Sequence, residues 1–277
     1  MADSLDGKVA IVTGGGSGIG AAVSLELARR GARVVVADID GDNAKRVATA
    51  VAEGGGRATA SRVDVTQEQD IRRLVEDTAA AHGRLDYQFN NAGVAIVGEA
   101  RDLTLGQWRH VLDVDLYGVL YGTLAAYPIM VKQGFGHIVN TSSAAGLLPQ
   151  PLNAPYCTAK HAVVGLSLSL RPEGADLGVK VSVVCPGYVR TKIFETLVMV
   201  NLPRELAGRT PGRIKMIEAA QAAQVILDGV ARNQAVIAFP GYVRLAWRAY
   251  RLFPRVVERG IPRQVREARS YRIAASG

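Results

Sequence analysis

Short apolar runs alternate with helical apolar stripes along the first 239 residues. The runs KVAIV (8–12), RVVVA (33–37), LDYQFN (85–90), HIVNTS (137–142), VKVSVVC (179–185) and AVIAF (235–239) are nearly continuous in apolar character, and RATASRV (57–63) is a weaker member of the set. Such runs predict strands of a parallel sheet covered on both faces, since a half-exposed sheet would alternate apolar and polar positions. Between them, residues 19–30 repeat apolar positions at helical spacing and stop at Gly31. Residues 67–82 predict a second helix with Thr66 as its cap, and residues 219–232 a third. Strands alternating with helices predict βαβ units and an α/β, doubly wound fold. Residues 188–218 break the alternation, with Pro203, Gly208, Pro211 and Gly212 among Ile193, Phe194, Leu197, Val198 and Met199. A connection that long inside a compact domain predicts a functional loop, here an apolar lid over a substrate.

Composition leaves this picture intact. The chain has 277 residues, 48% hydrophobic and 21% charged, enough for a sizeable core. Acids precede the first short apolar run, so no signal peptide is expected, and no window approaches the ~18 consecutive apolar residues of a spanning helix. Cys157 and Cys185 do not suggest a disulfide framework, so the expected location is cytoplasmic. His82, His110, His137 and His161 are scattered; each is read as a surface or helix-end residue, and no metal site is expected.

Charge divides the chain. Residues 240–277 carry nine arginines and two glutamates, a surplus of +7 out of a net +8, while the first 239 residues hold 24 basic and 23 acidic residues. The expected division is a catalytic and nucleotide-binding domain over 1–239 and a basic extension over 240–277.

The first strand runs straight into TGGGSGIG, residues 13–20, which opens the first helix. Backbone N–H groups at a helix N-terminus favour a pyrophosphate, and glycines allow the tight turn and the close approach. Gly14, Ser17, Gly18, Ile19 and Gly20 are the candidate contacts. Asp38 ends the second strand about 20 residues on, where a carboxylate accepts hydrogen bonds from the adenosine ribose. It would also repel a 2′-phosphate, and the loop holds no Arg or Lys to attract one. Arg29, Arg30 and Arg33 fall at the helix end and strand start. The expected cofactor is NAD, with NADP less favoured.

In NAPYCTAKHAVVG, residues 153–165, Tyr156 and Lys160 lie four apart, one turn along a helix face. A free tyrosine, with a pKa near ~10, is a poor base at neutral pH, and a neighbouring ammonium stabilises its phenolate. A helix-stabilising surface pair would show the same spacing. Cys157 points off that face and is read as packing.

Together, TGGGSGIG, Asp38, the DV at Asp64 and Val65, the NNAG at 90–93, the SS at 142–143, YCTAK at 156–160 and PGYVRT at 186–191 make the chain resemble the short-chain dehydrogenase/reductase family over about residues 8–239. The resemblance implies a Rossmann-type fold of seven parallel strands assembled as a homodimer or homotetramer. It places Asp64 and Val65 around the adenine, and Asn91, Ala92 and Gly93 beneath the cofactor. It places Pro186, Gly187, Val189 and Thr191 at the nicotinamide, with Thr191 on its carboxamide. It makes Ser143 the hydrogen-bond donor to the substrate oxygen, Tyr156 the acid/base, and Lys160 both the tuning charge and a ribose ligand. Ser142 is read as a strand-end hydroxyl serving backbone.

Two features depart from the family pattern. Where the family carries an asparagine in N-L-x-G, this chain has Asp115 in VLDVDLYG. A carboxylate can hold a water against Lys160, but it also opposes a phenolate on Tyr156; it can equally do no more than replace the amide's hydrogen bonds. Pro172 and Gly174 follow Arg171 late in the helix of Tyr156, predicting a kink or an end near Arg171.

From Arg244 the arginines recur at spacings of three and four, with Leu245, Trp247, Leu252, Phe253, Val256 and Val257 largely between them, interrupted by Pro254 and by 260–262. This basic amphipathic pattern fits either an anionic membrane surface or a cover over the substrate cleft or a neighbouring subunit. No nucleic-acid partner is expected of a near-neutral body. The combined reading is an oxidoreductase interconverting a secondary alcohol and a ketone on a hydrophobic substrate, steroid-like, terpenoid or long-chain. The alternative is a catalytically weak nucleotide-binding scaffold of the same fold.

Overall fold

The structure, a computed structural model, describes residues 4–207, 214–259 and 261–273. Gly208, Pro211, Gly212 and Gly260 lie outside the described residues. The strands are β1 (Val9–Thr13), β2 (Arg33–Asp38), β3 (Arg57–Arg62), β4 (Tyr87–Asn90), β5 (Ile96–Val97), β6 (Gly136–Thr141), β7 (Val179–Pro186), β8 (Val189–Arg190), β9 (Val198–Met199), β10 (Ile217–Glu218) and β11 (Val236–Phe239). The helices are α1 (Gly18–Arg29), α2 (Gly41–Glu53), α3 (Glu68–His82), α4 (Leu105–Leu112), α5 (Gly118–Gln133), α6 (Ala154–Ala175), α7 (Ile193–Thr196), α8 (Ala219–Ala231), α9 (Gly241–Leu252), α10 (Pro254–Glu258) and α11 (Ile261–Ser270).

Seven strands form one parallel sheet in the order β3-β2-β1-β4-β6-β7-β11. This is the doubly wound Rossmann-type arrangement. β1 is buried along its whole length and β7 at every position but Lys180, which is why they read as nearly unbroken apolar runs. The edge strand β3 exposes Arg57, Thr59, Ala60 and Arg62, so its run reads weakly. Two apolar clusters cover the two faces, one uniting Val12, Leu27, Phe89 and Ile226, the other Ile11, Ile71, Leu85 and Ile138. Each such side chain contributes roughly 1.5–3 kcal/mol on full burial. Strand order reverses between β1 and β4, opening a crevice at their carboxyl ends.

Local chemistry sets the helix ends. α1 stops where Gly31 takes a left-handed φ of 101°. α3 starts one residue later than predicted and Thr66 does not cap it: its hydroxyl donates to Asp64 Oδ1 at 2.8 Å, while Glu68 and Asp70 supply negative charge to the first turn. α6 runs through Pro172 to Ala175, so of the kink or end expected near Arg171 the end does not occur there. Arg171 pins this end by donating to Val181 O, Asn233 O and Asn233 Oδ1, and Gly174 packs closely on Val179. These contacts offset the hydrogen bond that proline removes.

Two further expectations are corrected. The continuous helical stretch Leu105–Gln133 is long and apolar enough, by length and composition, to span a membrane. Here its α5 portion packs against α3 and the sheet, with Ala126 and Met130 in the core. His137 is neither surface nor helix-end. It is buried in β6, with Nε2 at 2.8 Å from Ser182 Oγ. Ser182 donates its one proton to Gln234 O at 2.6 Å, so His137 Nε2 must be the donor in their shared bond. Burial pushes the His137 pKa down to about 3.

Candidate active site

The crevice begins at the loop after β1. Gly14 and Gly18 adopt φ of 62° and 53°. A Cβ on Gly20 would stand 2.1 Å from Gly14 O, and one on Gly14 would stand 2.8 Å from Ala92 Cα. Only glycine permits this packing. Ser17 caps α1 without a side-chain hydrogen bond, and the first turn holds no acid. The amides there remain available to an anion, so the loop fits a dinucleotide pyrophosphate. Asp38 accepts from Gly16 N at 2.8 Å and Asp40 N at 3.0 Å, which fixes the carboxylate at the tip of β2. Beyond it lies an open cleft of about 350 Å³ lined by Ile39, Asp40, Lys45 and Arg62, among others.

The other expected cofactor residues sit at or just past the carboxyl ends of β3, β4 and β7. Asn91 donates to Thr13 O at 3.2 Å, and a Cβ on Gly93 would stand 2.6 Å from Asp115 Oδ1. Asp64 Oδ1 accepts from the backbone and hydroxyl of Thr66, while Val65 is buried against Gly118. Pro186 ends β7; Val189 is buried, and Thr191 lies within 3.1 Å of where a Gly18 Cβ would be. Gly187 is pressed against Tyr242, whose hydroxyl accepts from Tyr188 N at 2.9 Å.

Ser143, Tyr156, Lys160 and Asp115 come together next to it. Ser143 follows β6 and its Oγ accepts from Ala145 N at 3.1 Å, so its own proton is directed elsewhere. The Ser143 hydroxyl lies near that of Tyr156 and acts to lower its pKa. Ser142 instead donates to Lys160 O at 2.8 Å, the backbone role expected of it. The Lys160 ammonium lies 5.4 Å from the Tyr156 ring centroid. It contacts Asp115 Oδ1 at 3.0 Å and donates to Thr141 O at 3.2 Å, so the partners among the described residues use two of its three N–H groups.

Asp115 reaches Lys160 because α4 and α5 are joined by a π-helical turn, Asp113–Tyr117. The wider turn aims its side chain inward, where its oxygens accept from Val94 N at 3.2 and 3.4 Å. Asp115 therefore both serves backbone and pairs with the lysine. Burial pushes its pKa up, and the Lys160 charge pulls against that. Burial also opposes the Lys160 charge, but Asp115 and Tyr156 outweigh it, and lysine stays protonated.

The Tyr156 hydroxyl pKa lies above its ordinary value in this ligand-free protein. Burial is the main cause; Lys160 lowers it and Asp115 raises it. The expected net depression by Lys160 does not hold here, since burial outweighs that charge and Asp115, 3.0 Å from the ammonium, opposes it further.

In the segment expected to form a substrate lid, β5 pairs with β9 and β8 with β10, so the predicted loop is partly structured. Leu197 is buried, Ile193, Phe194 and Met199 are half-buried, and Val198 is exposed. The basic extension folds back over this region. Arg269 and Arg272 pair with Glu99 at 2.8 and 3.3 Å, Arg272 also pairs with Asp102 at 2.7 Å, and Ile273 N donates to Asn201 O.

Sequence reasoning missed four participants. Thr13 Oγ1 accepts from Asn91 N and Ala92 N. Arg46 donates to Gly16 O at 3.0 Å. Tyr242 braces the loop after β7, and Glu99 latches the extension. Thr13 adjoins the glycine loop and could have been found; the others depend on long-range packing.

The pattern that describes short chain dehydrogenases matches residues 8–199. A cyclohexanol dehydrogenase from Acinetobacter sp. (strain SE19) is 38% identical over 206 residues, 73% of this chain and 82% of that one. A 2,5-dichloro-2,5-cyclohexadiene-1,4-diol dehydrogenase from Sphingobium indicum is 40% identical over 193 residues, 69% of this chain and 76% of that one. A short chain dehydrogenase/reductase from Burkholderia phymatum, solved in complex with NAD, matches with a TM-score of 0.80 at 28% identity, over 91% of this chain and 96% of that one. The chain belongs to the short-chain dehydrogenase/reductase family. It is an oxidoreductase with the nucleotide-binding fold of that family, whose cofactor class is NAD(P).

Proposed function

We propose that the protein interconverts a hydrophobic secondary alcohol, preferably alicyclic, and its ketone, with NAD as the hydride carrier. The observation that carries this reading is the convergence of Ser143, Tyr156 and Lys160 beside the glycine loop. Bound NAD supplies the hydride acceptor. Ser143, whose Oγ already accepts from Ala145 N, turns its proton toward the substrate oxygen and orients it. Tyr156 Oη takes the alcohol proton during oxidation and returns it during reduction. The Lys160 N–H not used by Asp115 or Thr141 is available to a ribose hydroxyl, while its charge favours the phenolate. Thr191, which packs against Gly18, is assigned to the nicotinamide carboxamide in this reading.

NAD is favoured over NADP because Asp38 and the adjacent Asp40 put negative charge at the ribose end. Arg46 is nearby, but its Nη2 donates to Gly16 O and Asn43 Oδ1. An alicyclic substrate is supported by the apolar loop and by the ring alcohols named for the two relatives. The working form is proposed as a homodimer or homotetramer, supported by Leu124 and Leu168, which α5 and α6 leave exposed at 60% and 38%.

The test is turnover. The protein is mixed with NAD or NADP and a panel of cyclic, steroidal and long-chain secondary alcohols, and reduced nicotinamide is followed by absorbance. Faster reduction of NAD by a cyclic alcohol is expected. A preference for NADP would overturn the cofactor assignment, and a blank across the panel would favour the nucleotide-binding scaffold.

A further inference from the structure

The extension leaves one apolar face uncovered. α9 is held to the body by Val243, which is fully buried, and by Trp247 and Tyr242, which pack into the cluster containing Cys185 and Ala238. Its opposite side carries Leu245 and Leu252, seven residues apart and so on one stripe, at 70% and 71% exposure. Phe253 and Val256 continue the face across the start of α10, each 62% exposed. Four large apolar side chains within twelve positions are unusual for a surface that meets only water.

Exposed arginines flank these residues at 244, 248, 255 and 259, and among the described residues none of the four pairs with an acid. Arg251 lies over the Trp247 ring, 5.7 Å from its centroid. Glu258, the acid of this stretch, accepts from the Tyr250 hydroxyl at 3.3 Å. The face is thus apolar at its centre and positive around it, on a helix already docked to a near-neutral body. A second copy meeting it about a two-fold axis would bring these arginines against their own counterparts. A nucleic acid would satisfy the arginines and leave Leu245, Leu252 and Phe253 in water. An anionic lipid surface satisfies both: headgroups meet the arginines and the interfacial acyl region meets the apolar side chains.

We propose that the α9–α10 face docks the protein on an anionic lipid surface, with Leu245, Leu252, Phe253 and Val256 inserted and the four arginines at headgroup level. α11 is latched to Glu99 beside the substrate loop, so docking sets the cleft close to the membrane, from which an apolar alcohol can be taken. The docking surface itself does not depend on the proposed reaction.

The test uses the intact chain with vesicles of phosphatidylcholine alone or of phosphatidylcholine with phosphatidylserine, read by sedimentation at low and high salt. The expected result is sedimentation with the anionic vesicles only, weakened by salt. Replacing Arg244, Arg248, Arg255 and Arg259 together by Gln is expected to lower the partition coefficient by about fivefold per arginine. Leu252→Ser with Phe253→Ser is expected to lower it about a hundredfold. Circular dichroism and melting temperature of both variants are expected to match the parent, because the altered side chains are exposed. The proposal is overturned if the intact protein stays in the supernatant with anionic vesicles at low salt, or if either variant sediments like the parent. Light scattering in which Leu252→Ser with Phe253→Ser splits an oligomer would assign the face to a second copy and overturn it as well.

Discussion

Asp115 and Lys160 form an ion pair at 3.0 Å in which both side chains are almost fully removed from solvent. Breaking such a pair leaves a buried charge alone, so the substitution that isolates its effect must keep the shape and the Val94 hydrogen bond. Asp115→Asn does both. Without the carboxylate, the Lys160 charge acts unopposed on Tyr156, so the phenolate forms at lower pH. The acid-side limb of alcohol oxidation, where Tyr156 must lose its proton, is expected to move to lower pH, measured by rate against pH. The plateau rate is expected to fall by less than the ~10²-fold typical of losing a proton-transfer group. An unmoved limb would mean that the Asp115 charge does not reach Tyr156. At this scale much was legible. Ser143, Tyr156 and Lys160 announce themselves by spacing, because one strand end and one helix turn place them. Asp115 was legible as a departure, but its partner was not, since a π turn has no signature in the spacing of apolar residues.

The extension shows how an element depends on distant charge. Its last helix is tied to the segment between β5 and α4 through Glu99, which contacts Arg101, Arg269 and Arg272. Hydrogen bonding to Arg269 is the main reason that the Glu99 pKa falls to about 2. A depressed carboxylate pKa means that the latch is complete above the ordinary carboxylate range and is lost only as pH falls toward about 2. Glu99→Gln is expected to loosen α11 at neutral pH while sparing the sheet, seen as faster amide exchange over residues 261–273 by mass spectrometry. Equal protection in both proteins would contradict the latch. The helical stripe and its breaks were legible, since α9 stops just before Pro254 and α10 begins with it. What the stripe covers was not, because Glu99 lies 170 residues from Arg269. The end of α6 misled for a related reason: proline propensity is local, whereas the anchors of Arg171 come from β7 and Asn233.

For the whole molecule, the sheet was legible because burial on both faces makes central strands continuously apolar. His137 escaped because a buried polar residue in such a strand looks, in sequence, like any strand residue. Its consequence is global. Its pKa of about 3 lies far below the ordinary histidine value of about 6.5, so the unfolded chain binds a proton that the folded chain refuses. Stability is therefore expected to decline as pH falls from about 6.5 toward about 3, by at most about 5 kcal/mol at ~1.4 kcal/mol per pKa unit. His137→Gln is expected to flatten the fall of melting temperature with acidification; an equally steep fall would assign the acid sensitivity to other groups.

The central claim joins the glycine loop to Tyr156 in one reaction, and a single comparison tests it most directly: NAD-linked oxidation of cyclohexanol by the parent protein and by Tyr156→Phe, with NAD binding measured on both by calorimetry. The account expects both proteins to bind NAD, the parent to reduce it, and the variant to lose about 10²–10⁴-fold in turnover. Turnover by Tyr156→Phe at the parent rate would contradict it.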